Sequence, residues 1–150
     1  MYADWADIEE HIPSGFQGNV DLRNYGTTVQ QACEDLVTGM LGTVYSLPVT
    51  SAANPIAYRR IVSLCARLTA ARALQWFHAN DDPEERNAHA DGLEKQVMDE
   101  LARILSGEDE LSDASVATDG PGLDPEDGYD SLTSTEQDYL DAWFARSDEW

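Results

Sequence analysis

The 150-residue chain carries 29 acidic residues against 9 Lys and Arg, a formal net charge of −20, with 42% hydrophobic residues. A chain of this length buries about two-thirds of its unfolded surface, enough for one core plus an appendage and too little for a second full domain. Its negative field repels phosphate and argues against gripping nucleic acid, and no apolar run reaches the roughly 18 residues of a membrane span.

The charge is unevenly placed. Residues 1–106 carry 15 acids and 8 bases, a net of −7, whereas residues 107–150 carry 14 acids against Arg146 alone, a net of −13. Met1-Tyr2-Ala3-Asp4 lacks the basic and apolar regions of a signal peptide, so the expected setting is the cytoplasm. Cys33 and Cys65 fall on apolar stripes of helical segments, where a reduced thiol serves as a small hydrophobe, and they read as core residues in preference to a disulfide.

In chain order, Asp4 is placed to cap a short helix whose Trp5, Ile8 and Ile12 share one face, and Pro13-Ser14-Gly15 stops it. Residues 14–26 read as loop. Thr27 or Thr28 then caps a helix in which Val29, Cys33, Leu36, Val37, Met40 and Val44 recur at helical spacing. Pro48 and Pro55 bracket the next loop, with Asn54 as N-cap and Pro55 at the first helical position. The helix beginning there runs to about Asn80, with Tyr58, Ile61, Cys65, Leu68 and Trp76 on one side and Ala66, Ala70, Leu74 and Phe77 on another. Two apolar sides mark a central helix.

Asp82-Pro83-Glu84-Glu85 opens a third long helix with acids at its positive end, and Leu93, Val97, Leu101, Ile104 and Leu105 supply its buried face before Ser106-Gly107 ends it. Gly107 to Asp130 holds four Gly, two Pro and nine acids with no base, a composition expected to remain a flexible linker. Thr133 and Glu136 then form a capping box ahead of Tyr139, Leu140, Trp143 and Phe144. No strand-like alternation is long enough for a sheet; the segments near Val20 and Val49 could supply one small pair at most. The fold expected is all-α: three long helices and a short N-terminal one over residues 1–106, a linker over 107–131, and a C-terminal segment over 132–150 ending in a short helix.

Candidate chemistry is sparse. His78, Asp81, Asp82, Glu84, Glu85, His89 and Asp91 crowd together, but no metal-binding spacing is present, and a solvated helix junction explains them better. No phosphate loop or nucleophile motif is found, so neither catalysis nor a cofactor is expected. Arg72 projects onto the stripe of Leu68 and Trp76, where it must pair with a carboxylate, stack on a ring or reach the rim. Arg60 and Arg67 share another face seven residues apart. All three arginines are candidate inter-subunit contacts, against the plainer reading of snorkelling or solvated side chains. Leu132, Tyr139, Leu140, Trp143, Phe144 and Trp150 are candidates for a tethered anchor that fills pockets on a partner, against the plainer reading that they complete the protein's own core.

The order of these parts resembles the head-tail adaptor, or connector, proteins of tailed bacteriophages. The likeness covers residues 2–105 and is carried by Tyr2 with Asp7-Ile8-Glu9-Glu10-His11-Ile12-Pro13, by the helix ending Leu41-Gly42-Thr43-Val44-Tyr45-Ser46-Leu47-Pro48, by Asn54-Pro55 opening the next helix, and by the long third helix. The resemblance implies a helical bundle whose copies form a twelve-subunit ring beneath the portal protein, dock a tail or stopper protein, and continue the channel through which DNA passes without specific binding. It also implies a place in the virion neck after assembly in the host cytoplasm, and a terminal segment laid on the portal. The long acidic linker departs from that pattern. An acidic monomeric interaction protein, such as a DNA mimic or regulator, is the alternative; a mimic concentrates acids on its folded body, and here the body is only mildly acidic.

Overall fold

Asp4 opens the first helix by a reciprocal arrangement. In the computed structural model, which describes residues 1–81 and 88–117, Asp4 Oδ1 accepts from the Asp7 amide at 3.0 Å and Asp7 Oδ2 accepts from the Asp4 amide at 2.9 Å. Two amides that the helix itself leaves unpaired are thereby satisfied. The result is α1 (Trp5–Glu9), which buries Ile8. Ile12 is buried just beyond it, and Trp5 is half-buried.

The second helix begins earlier than its apolar spacing suggests. α2 spans Val20–Leu41, capped by Asn19, whose side chain accepts from the Leu22 amide. Residues 20–26 are therefore helix and not loop. Thr27 and Thr28 are not caps; their hydroxyls donate to the carbonyls of Arg23 and Asn24 within the helix. The buried line of α2 is Leu22, Gly26, Gln30, Cys33, Glu34, Val37 and Leu41. Gly26 has a steric reason: a Cβ there would lie 2.5 Å from the Trp5 ring and 3.5 Å from Ala73 Cβ. Val44 lies past the helix end, in the turn that leads through a cis Leu47–Pro48 peptide to α3.

α3 (Pro55–Asp81) is the central helix and packs against α1, α2 and α4. Ile61, Leu64, Cys65, Leu68, Ala70, Ala71, Ala73 and Leu74 are all buried. The alanines matter because small side chains on several faces let three neighbours approach one helix. Trp76 departs from the expected stripe: it is 36% exposed and stacks on Tyr25 at 4.4 Å, because it lies near the end of α3, beside the first turns of α2. Phe77 is half-buried, edge-on to Phe16 at 5.7 Å.

α4 (Ala88–Leu105) buries Ala90, Leu93, Val97, Leu101 and Ile104, close to the expected face. The expected start at Asp82–Glu85 lies outside the described residues. Gly107 adopts φ 78°, a left-handed conformation that ends the helix and turns the chain back over the bundle.

The segment after Gly107 corrects the expectation of a linker beginning there. Residues 107–117 form a strap fixed to the bundle along its length. Leu111 is 2% exposed and its amide donates to the Tyr45 hydroxyl at 3.2 Å. Asp113 accepts from the amides of Ile56 at 2.8 Å and Ala57 at 2.7 Å, so the carboxylate capping α3 comes from far along the chain. Asn54, expected to be that cap, instead donates its side-chain amide to the Asp113 carbonyl. Ser46 and Ala117 pair with Ser115 and Val44 around an antiparallel Tyr45–Val116 bridge, the only β-pairing among the described residues. The pair expected near Val20 and Val49 does not form, since Val20 is helical. The described fold is an all-α bundle within one unit, Met1–Thr118. The later part of the expected linker and the whole segment 132–150 lie outside the described residues.

Candidate interaction surfaces

The three candidate inter-subunit arginines are occupied within the chain. Glu100 on α4 accepts from Arg67 at 2.6 Å and from Arg60 Nε at 2.8 Å, and the Arg67 and Glu100 side chains are only 16% and 15% exposed, which leaves little of either for a neighbour. Arg60 also grips Asp109 of the strap and donates to the Glu110 carbonyl at 3.1 Å. Arg72 lies 3.8 Å from Glu94, which also accepts from Gln75 at 2.7 Å. Arginines seven residues apart on α3 meet carboxylates that approach from α4 and the strap, so these groups fasten elements of one subunit together.

Electrostatics follows the geometry. Burial alone would raise the Glu100 carboxyl, but hydrogen bonds from Arg67 and Arg60 outweigh it and hold the group below its ordinary value. The Arg60 guanidinium holds the Asp109 carboxyl down to about 2. Burial, with Arg67 nearby, lowers the His11 imidazole. Burial pushes the Cys65 thiol up to about 12 and raises Cys33 as well, so neither is a ready thiolate nucleophile. Both cysteines are free and buried, in keeping with a core role.

Three members of the histidine and acid junction have described side chains, His78, His89 and Asp91. His78 sits edge-on to Phe16 at 5.3 Å and to Phe77 at 5.9 Å. His89 Nε2 lies 3.0 Å from the His11 carbonyl, and Asp91 accepts from Gln75 at 3.3 Å. Asp82, Glu84 and Glu85, and the side chain of Asp81, lie outside the described residues. Among the described residues no group of three or more His, Cys, Asp and Glu side chains is arranged to hold a metal ion.

The N-terminal segment forms a surface that apolar spacing does not reveal. Glu34 is 3% exposed and its carboxylate accepts from the Tyr2 amide at 3.0 Å and the Ala3 amide at 3.1 Å. Gln30 donates to the Ala3 carbonyl at 2.6 Å, and the Tyr2 hydroxyl accepts from the Val49 amide at 3.1 Å. Tyr2 packs on Tyr58 at 5.6 Å. An open cleft of about 730 Å³ lies beside this segment, lined among others by Tyr2, Trp5 and Tyr58 and by Arg23 and Arg59. The one available signal for it was polarity: Gln30 and Glu34 fall on the buried line of α2, where a polar side chain needs a partner.

The candidate anchor residues Leu132, Tyr139, Leu140, Trp143, Phe144 and Trp150 lie outside the described residues. No described helix is long and apolar enough to cross a membrane. Comparison with protein-family models, with curated proteins and with solved structures gives no significant match for this chain.

Proposed function

We propose that the chain is a structural virion protein, a head-tail adaptor whose copies form a ring between the portal and the tail and continue the DNA channel. The observation that carries this reading is the agreement between the segments that bear the resemblance and the helix boundaries. α1 ends ahead of Ile12-Pro13, α2 closes at Leu41-Gly42, and Pro55 opens the central helix α3. The charge supports it too, because a net-negative lumen lets DNA slide without adhering. In this reading the work of the chain is binding, not catalysis: the bundle packs in the ring, and the aromatic segment 132–150 anchors to the portal or to a neighbouring subunit. The virion neck is its place, reached after assembly in the host cytoplasm.

Deleting the coding sequence from the phage that carries it tests the proposal. The expected outcome is DNA-filled heads and free tails that fail to join, with joining restored by the intact chain supplied in trans. Normal tailed particles from the deletion mutant would refute it.

A further inference from the structure

In a chain with a net charge of −20, three of the six described arginines, Arg23, Arg59 and Arg103, form no ion pair, and two of them share one cleft. Arg60, Arg67 and Arg72 are held by acids, whereas among the described residues Arg23 and Arg59 are exposed and form no ion pair. Both line the N-terminal cleft, where Arg23 lies 6.0 Å from the centre of the Trp5 ring. Asp4 and Asp7 also line it, where the Asp4 carboxylate accepts from the Asp7 amide and the Asp7 carboxylate from the Asp4 amide, so both are engaged in the capping box and neither meets a guanidinium. The cleft therefore offers half-buried aromatic faces with two arginines that lack an ion pair at its edge, one of them over the Trp5 ring. That combination suits a segment carrying both rings and carboxylates.

We propose that this cleft binds the C-terminal segment of a second copy of the chain. Residues 119–150 carry ten acids against Arg146, a net of −9, and Tyr139, Trp143 and Phe144 stand among Glu136, Asp138 and Asp141. Charge complementarity selects this occupant, because the tail is the most acidic part of the chain and the cleft holds arginines that its own subunit leaves unpaired. The 14 residues 118–131 span at most roughly 50 Å when extended, which sets the upper limit on the separation such a contact can bridge. A tail-to-cleft contact is heterologous, the kind that closes into a ring when successive rotations complete a circle. Such a contact rests on the neighbouring-subunit arm of the adaptor reading and names its site, and because it needs only two copies of the chain and no portal it can fail while that reading stands.

Sedimentation velocity of the full-length protein over a range of concentrations, at about 50 mM and about 500 mM salt, tests it. Concentration-dependent association is expected at low salt, weakened at high salt. Arg23→Glu with Arg59→Glu should weaken it about tenfold or more, and Trp143→Ala with Phe144→Ala should do the same. Far-UV circular dichroism verifies that each double variant stays helical; Arg23 and Arg59 are exposed, so the fold should not change. A labelled peptide of residues 132–150 should bind the full-length protein saturably and fail to bind the arginine variant. A wild-type protein that is monomeric at every concentration, or association indifferent to the arginine changes, overturns the proposal. Peptide binding without self-association overturns it as well, and assigns the cleft to an acidic segment of another protein.

Discussion

Replacing Leu111 or Asp113 by Ala asks whether residues 107–117 belong to the fold or trail from it. Leu111 is 2% exposed, so its truncation removes nearly all of a buried side chain. Buried Leu→Ala changes cost about 2–5 kcal/mol, and a site on a peripheral strap relaxes better than a central one, which places this change near ~2 kcal/mol. Asp113 accepts two amides in the first turn of α3 at 2.8 and 2.7 Å. Loss of a helix cap costs ~0.5–2 kcal/mol, and the favourable interaction of a carboxylate with the helix dipole goes with it, so ~1–2 kcal/mol is expected. At this chain length each kcal/mol lowers the thermal midpoint by roughly 4 °C. Urea titration followed by circular dichroism should therefore show both variants destabilised, with Glu108→Ala, at an exposed position, within ~0.5 kcal/mol of wild type as a control. A slack acidic tether, which the composition suggests, would make all three changes equally silent. That result would refute the assignment of the strap to the fold.

Glu34→Ala should cost ~1–3 kcal/mol, because the Ala3 amide is then buried without its acceptor, and should speed hydrogen exchange at Tyr2 and Ala3; unchanged stability and exchange would remove Glu34 as the clasp of the N-terminal segment. Glu100→Gln should cost ~1.5–3 kcal/mol at neutral pH. Since the folded Glu100 carboxyl lies below its ordinary value of 4.5, its contribution is present above that pH and is lost on acidification, so the difference from wild type should shrink as pH falls below 4.5. A difference independent of pH would contradict the ion-pair assignment. His11 acts in the same direction: its lowered value favours the neutral ring in the fold, so stability should fall as pH drops below the ordinary 6.5 and His11→Gln should flatten that limb. Gel-shift titration with duplex DNA should show no saturable micromolar binding at physiological salt, and such binding would contradict the proposed channel role.

What the sequence makes legible and what it hides divide along separation in the chain. The Asp4 cap, the α4 face from Leu93 to Ile104 and the stop at Gly107 rest on neighbours a few residues apart, and local spacing reveals them. The start of α2 is obscured because residues 20–26 put only Leu22 and Gly26 on the buried line, and Gly26 is there to admit the Trp5 ring, 21 residues upstream. The strap reads as disordered because its composition is acidic and poor in apolar residues. Its anchors, Asp113 on Ile56 and Leu111 on Tyr45, lie 57 and 66 residues away, where no local pattern registers them. Arg60 and Arg67 looked free for a neighbour for the same reason, since Glu100 and Asp109 come from elements far along the chain. The cleft residues were legible as types but not as a set, because Arg23 and Arg59 come to line one cleft only once α2 and α3 are packed.

The proposed place of this chain in a phage neck is tested most directly by cryo-electron microscopy of particles from a genome that encodes it. A ring of copies directly beneath the portal is expected, each bundle built as α1 to α4 with its strap in place and residues 132–150 traced onto the portal or onto the adjacent subunit. A neck in which that position is filled by another protein, with this chain absent from the particle, would contradict the adaptor reading.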